Sequence, residues 1–315
     1  MPYPAGLQPH EHGLPRLAQD ALPVLYQHRL LTTRQLHRLL QPQANHAVYL
    51  RRQLSRLRER GLAAATVRHR GGQGELVWYC TPTGSEIVEA AGEVTPRAYR
   101  MTEAAAANQL QEHTLAVNDT GISFVEAARR YGHDCGPLDW HPERAHRFRD
   151  GTGDDAFLIP DAVLSYVHDT DGRRRMLTYF LEIDRATESP LKLAAKVRAY
   201  ARYLDYIPLP PPGRRPAGRG TGEAWRERYP AFPRLLFVLT GAPAATLARR
   251  TADLRALADA DPRLRRAADR LLAGIVTLEQ LQDRGPWVPV ITPVFGPGDP
   301  TDALLRTPQE GQSRL

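Results

Sequence analysis

Lysine is nearly missing from this chain. Of 42 basic residues in 315, only Lys192 and Lys196 are lysine, which leaves 40 arginines. The cation is therefore almost always a rigid planar fork rather than a mobile point charge, a form suited to phosphate. Cysteine is scarce too: Cys80 and Cys135 are too few for a disulfide scaffold and lack the four-ligand spacing of a structural zinc module. Their small number fits a reducing compartment. No apolar run approaches the roughly 20 residues that cross a bilayer, and the first fifteen residues have neither the basic nor the apolar segment of a secretory signal. The chain reads as cytoplasmic, with no membrane partner. Carboxylates are the minority charge, 35 against 42, giving a formal net charge of +7, so the favoured partner is anionic. A hydrophobic content of 42% excludes wholesale disorder, and the length suggests two domains.

Proline and glycine punctuate the rest. Residues 1–15 read as a flexible arm, 16–92 as a compact first domain, 103–296 as a larger second domain and 297–315 as a polar, flexible tail. Inside the second domain, residues 207–222 carry Pro or Gly at most positions and cannot bury a core, so they read as a basic flexible insertion.

In the first domain, Leu17, Ala21, Leu22, Leu25 and Leu30 recur at helical spacing, and the Thr32–Thr33 pair supplies an N-cap for a helix over 34–40. A third helix over 46–60 puts Val48, Leu50, Leu54 and Leu57 inward and Arg51, Arg52, Arg56, Arg58 and Arg60 outward, with Gly61 ending it. Strands over 62–69 and 75–80 follow, joined by the glycine-rich tip 70–74, and a further helix begins near Thr83. This order resembles the winged helix-turn-helix domain. The resemblance implies that the third helix enters the major groove of double-stranded DNA, that the wing from Arg68 through Arg70 to Gln73 touches the backbone, and that Thr33 and Arg34 approach a phosphate with the free N–H groups of the second helix. An Arg-rich amphipathic helix is more often a plain solvated face, but five arginines within ten residues beside a basic wing exceed what solubility requires.

The second domain opens on an Ala-rich helix over 103–117. A strand over 157–167 carries Pro160–Asp161; a turn at 169–172 returns the chain into a strand over 175–184, ending in Glu182–Ile183–Asp184; a helix over 191–203 follows. Alternation puts Glu182 and Asp184 on one face. With Asp161 on the neighbouring strand, three carboxylates converge and need a cation; hard oxygen ligands suit Mg²⁺, whose chemistry there is phosphodiester hydrolysis. A strand over 233–240, helices over 244–260 and 263–273 and a last strand over 288–294 serve as scaffold. His133, Cys135, His141 and His146 have the residue types for zinc but the spacing of no closed site.

Asp161, the twenty-one positions to Glu182, and the Glu182–Ile183–Asp184 triplet resemble the PD-(D/E)xK nuclease fold. The resemblance implies an α/β chain in which an N-terminal winged helix-turn-helix precedes a nuclease-like αβββαβ core, with Asp161, Glu182 and Asp184 as catalytic residues and Mg²⁺ ligands. The position of that fold's lysine holds Asp184, so the resemblance looks to the next helix, where Lys192 and Lys196 share a face. With residues 113–119 ahead of the core and Lys196 and Tyr200 behind it, the chain from about 16 to 294 resembles the replication-relaxation family of plasmids and mobile elements. That implies a DNA-binding protein of replication or mobilisation, with a relaxase or replication protein as partner and a homodimer as a further option. Three uses stay open: a nuclease-like scaffold that grips DNA without hydrolysis, with Arg185 neutralising the cluster; a metal-dependent endonuclease; and a transcriptional regulator whose second domain binds a ligand or dimerises.

Overall fold

A computed structural model describes residues 13–70, 73–92, 94–97, 101, 111–149, 155–170, 172–208 and 222–305. Most of the N-terminal arm, the start of the Ala-rich helix at 103–110, most of the insertion and the end of the tail lie outside the described residues. The fold is α/β, and the chain divides into two compact units, Met1–Ile122 and Ser123–Leu315. Among the described residues no helix is long and apolar enough to cross a membrane.

The first unit runs α1 (Arg16–His28), β1 (Leu31–Thr32), α2 (Thr33–Leu40), α3 (Val48–Glu59), β2 (Ala63–Arg70), β3 (Gln73–Cys80) and α4 (Pro82–Ala91). Its strands form an antiparallel sheet in the order β1-β3-β2. Local chemistry sets the helix starts. Thr32 caps α2 by accepting from the Gln35 N–H while the Gln35 side chain accepts from the Thr32 N–H, a capping box. Thr81 caps α4 through the Gly84 N–H, Pro82 supplies a preset first turn, and Gly92 ends the helix in the left-handed region. Leu50, Leu54 and Leu57 of α3 are fully buried, each worth roughly 1.5–3 kcal/mol. Val48, expected inward, is 57% exposed: two positions before Leu50 is the opposite side of a 3.6-residue turn.

Helix α5 (Gln111–Tyr131) contains the division between the units. Its first half belongs to the first unit, where Leu115 packs with Leu30, Val77, Tyr79 and Met101 and the Asn118 amide donates to the carbonyls of His28 and Leu30.

The second unit continues with β4 (Trp140–Pro142), β5 (His146–Arg149), β6 (Asp155–Leu158), β7 (Ala162–Thr170), β8 (Arg173–Asp184), α6 (Pro190–Leu204), β9 (Arg234–Leu239), α7 (Ala244–Ala260), α8 (Pro262–Ala267), β10 (Ala273–Thr277), α9 (Leu278–Arg284) and β11 (Thr292–Pro293). Six strands form a mixed sheet in the order β11-β10-β9-β8-β7-β4, and β5 pairs with β6 apart from it. Strands β8, β9 and β10 run parallel; β4, β7 and β8 make an antiparallel meander. The β8–α6–β9 connection is thus a helical crossover between parallel strands. Val163, Phe180, Leu235 and Phe237 pack on one face against Leu193, Val197 and Tyr200 of α6 and Leu247 and Leu254 of α7. On the other face Phe124 packs its ring against Tyr166 and Tyr179.

Three sequence expectations change. The strand over 157–167 is two strands, β6 and β7, broken at Pro160, whose ring removes an N–H and restricts the residue before it. The helix over 263–273 stops at Ala267, and β10 follows it. The strand over 288–294 shrinks to β11, since Pro289 and Pro293 cannot donate to a ladder. Strand β10 was not legible because it is enclosed between β9 and β11 and so lacks a polar alternation.

Candidate functional site

The sequence singles out two places that gather charge among the described residues, and they differ in how it is matched. On α3, Arg51, Arg52, Arg56 and Arg58 are all exposed, and among the described residues none of them forms an ion pair with a carboxylate. Among the described residues Arg56 alone of the four bonds a side chain, the Gln53 amide oxygen at 3.4 Å. The buried Leu50, Gln53, Leu54 and Leu57 orient the helix so that this cationic face meets solvent. Exposed Tyr49 adds an aromatic edge at its start.

The other sequence-expected contacts of this unit are placed differently. Arg34 is exposed. The Thr33 hydroxyl accepts from the Trp78 indole N–H at 3.0 Å, and the capping box engages the N–H groups of Thr32 and Gln35, so fewer donors are free at the start of α2 than the sequence suggested. Arg68 turns into the unit: its guanidinium bonds both oxygens of Glu112, one at 2.7 Å, reaches Glu75 at 3.4 Å, and is only 11% exposed. Glu112 first and foremost holds that guanidinium above its ordinary range. The Arg70 side chain lies outside the described residues.

The carboxylates lie at the end of β8, on the face covered by α6 and α7. Glu182 is 4% exposed. One of its oxygens accepts from the Tyr200 hydroxyl at 2.5 Å, and the other lies 2.8 Å from the Lys196 ammonium, which also reaches Glu188 at 3.2 Å. Lys196 and Tyr200 stand four apart on α6, so both reach the same strand. Burial, and next the charge of Asp161, push the Glu182 carboxyl up to about 7 against the opposing pull of Lys196 and Tyr200. Burial pulls the Lys196 ammonium down, but Glu182 outweighs it, with Asp161 and Glu188 adding to the effect, so the lysine stays charged. Tyr200, buried and facing Glu182, keeps its proton as a donor.

Asp184 lies two residues on, 2% exposed and turned to a different cation. The Arg250 guanidinium of α7 donates to its Oδ2 from Nε at 2.9 Å and also from Nη2, and binds the Glu188 carbonyl at 2.5 Å. Asp161 precedes β7, and its Oδ2 accepts from the Ile183 N–H at 2.7 Å. Strand β8 runs past the start of β7, so this N–H has no strand partner on that side and Asp161 supplies one. Glu182 and Asp184 thus share a face as alternation requires, but each holds its own cation. Among the described residues no group of three His, Cys, Asp or Glu side chains is arranged to hold a metal ion. Lys196 pairs with Glu182 and Arg250 with Asp184, so two of the three carboxylates expected to hold Mg²⁺ each meet a side-chain cation in this arrangement. Lys192 is exposed on the first turn of α6. His133 and His146, residue types that suggested zinc, bond separate tyrosines, Tyr166 at 2.8 Å and Tyr229 at 2.7 Å.

The family model described as Replication-relaxation matches residues 22–212, more than half of the chain. The chain belongs to the Replication-relaxation family. The match takes in the arginine face of α3 and, in the second unit, Asp161, Glu182, Asp184 and Lys196. No curated protein and no solved structure matches the chain. Arg250 lies beyond the matched stretch and was missed in the sequence, where Arg185, adjacent to Asp184, was expected to neutralise the cluster. An arginine 66 residues away in a helix with many others carries no local signal; only the packing of α7 on the sheet identifies it.

Proposed function

We propose that this Replication-relaxation protein binds double-stranded DNA through α3, as a winged helix-turn-helix, in plasmid or mobile-element replication or mobilisation. The observation that carries the reading is the exposed Arg51, Arg52, Arg56 and Arg58 face, which has no carboxylate partner among the described residues. Unmatched guanidinium groups on one helix face are an electrostatic footprint for phosphate, and the helix order α1-α2-α3 followed by the β2–β3 hairpin supports a recognition helix with a wing. A relaxase or replication protein is the protein partner such a setting calls for. The test measures duplex binding by anisotropy over a salt series. Arg51→Ala, Arg52→Ala and Arg56→Ala combined should weaken binding and lower the salt slope by about 3, near 0.9 per lost phosphate contact. Unchanged affinity would sink the reading.

For the second unit we infer a nuclease-like scaffold that grips DNA without cutting it. The β4–β7–β8 meander, the α6 crossover and parallel β9 support the αβββαβ comparison, and the Lys196–Glu182 and Arg250–Asp184 pairs support internal neutralisation of its acids. One observation favours the second reading, a metal-dependent endonuclease: of the two lysines, Lys196 does reach the motif's glutamate from the next helix. A cleavage assay with Mg²⁺ or Mn²⁺ on single-stranded, duplex and branched DNA separates the readings. Cutting abolished by Asp161→Asn or Glu182→Gln would overturn the scaffold reading, and binding without cutting supports it.

A further inference from the structure

On the sheet face opposite Glu182, the free end of the β7–β8 hairpin forms a second basic site. His168 pairs with Arg175 and Thr170 with Arg173 across the ladder, so these four side chains share a face, the one that carries Tyr166 and Tyr179 further along. With Leu304 they line a cleft of about 490 Å³, inside the range of roughly 300–1,000 Å³ usual for small-ligand sites. Arg173 and Arg175 are exposed, and among the described residues neither has a carboxylate partner. Arg174, between them, alternates to the other side and pairs with Asp134 at 3.1 Å. Two acids stand near the cleft: Asp302, which accepts from the Leu304 N–H, and Asp169, which lies between His168 and Thr170 on β7 and alternates to the other side opposite Arg174.

Beside these cations stands a set of rings. His168 lies 4.6 Å from Trp287 and 4.4 Å from His133, centroid to centroid. Tyr166 fixes both outer rings, its hydroxyl accepting from the Trp287 indole N–H at 2.8 Å and meeting the His133 Nδ1 at 2.8 Å. The rings are only partly covered; of them His168 lines the cleft, beside the Thr170 hydroxyl and two guanidinium groups without carboxylate partners among the described residues, and Trp287 and His133 pack against it at tilts of 48° and 54°. Phosphate on arginine with a base on aromatic rings is the combination by which proteins hold unpaired nucleotides.

We propose that this cleft binds a nucleotide, its phosphate held by Arg173 and Arg175 and its base stacked on His168, whose ring Trp287 packs against. The nucleotide is either a free mononucleotide or one residue of a single strand; a paired duplex hides its bases and cannot stack this way. The site is separate from α3 and does not rest on its role.

The test uses the full chain carrying Arg51→Ala, Arg52→Ala and Arg56→Ala, so that α3 does not contribute. Its probes are a fluorescein-labelled thymidine hexanucleotide, read by anisotropy, and thymidine monophosphate, read by quenching of Trp287 fluorescence with Trp287→Phe as control. Adding Arg173→Ala and Arg175→Ala should weaken binding at least tenfold at unchanged Tm, and His168→Ala by a smaller factor. Hexanucleotide binding ten times tighter than the mononucleotide assigns a strand; equal affinity assigns a free nucleotide. The proposal fails if neither probe binds, or if the Arg173→Ala/Arg175→Ala chain binds both as well as its parent.

Discussion

The arginine face of α3 and the carboxylate end of β8 use charge in opposite ways. On α3 four guanidinium groups face water with no acid paired to them among the described residues; at β8 two buried acids each hold one cation. The first arrangement is available to an external polyanion. In the second, the desolvation cost of each ion is offset only while its partner stays, so it holds elements together and leaves little charge for anything outside. Net charge alone does not distinguish the two; the presence of an opposing carboxylate does. Arg68 makes the same point inside the first unit, since Glu112 and Glu75 take up an arginine that the sequence would assign to the wing.

The largest effect should come from the buried side. Arg250→Met leaves Asp184 nearly enclosed without its cation, and should cost about 3–5 kcal/mol in urea unfolding; a loss below 1 kcal/mol would mean that Asp184 does not need this partner. Next comes the pH response of Glu182. Its carboxyl is raised from the ordinary value to about 7 in the folded chain, so between about pH 4.5 and pH 7 the folded state holds a proton that the unfolded state has lost. Stability from this group should therefore fall as pH rises through that window and level off above it. Glu182→Gln should flatten this slope in a series of pH-dependent melts, and an unchanged slope would show that another group titrates.

The exposed side should respond in binding rather than stability. Arg51→Ala, Arg52→Ala and Arg56→Ala together should reduce duplex affinity about a hundredfold at low salt, near 2.7 kcal/mol, while Tm stays within about 2 °C because among the described residues none of the three pairs with a carboxylate. A large fall in Tm would place these residues with the structural pairs and break the contrast. The smallest effect should follow Thr32→Ala, which removes one half of the capping box of α2 and should cost about 1 kcal/mol with duplex affinity within twofold. A larger loss of affinity would assign the start of α2 to phosphate contact after all.

Much of the first unit is legible locally because its signals lie within a few residues of each other. The Leu50, Leu54 and Leu57 spacing, the Thr32–Gln35 cap and the Gly92 stop each need only one turn of chain to act. The second unit is less so. Pro160 marks the break between β6 and β7, but β10 has no alternation to show, and the two cations at β8 come from other elements.

From its residues alone, the chain determined that Glu182 and Asp184 would face the same way, because a strand has a period of two, and that α3 would present its arginines outward, because leucine cannot. Which cation each acid meets was decided by tertiary structure. Lys196 lies 14 residues from Glu182 and Arg250 lies 66 residues from Asp184, and charges attract through space with no regard to separation along the chain. The scarcity of lysine pointed to α6, yet only the packing of that helix on the sheet separated Lys196, bonded to Glu182, from Lys192, exposed on the first turn.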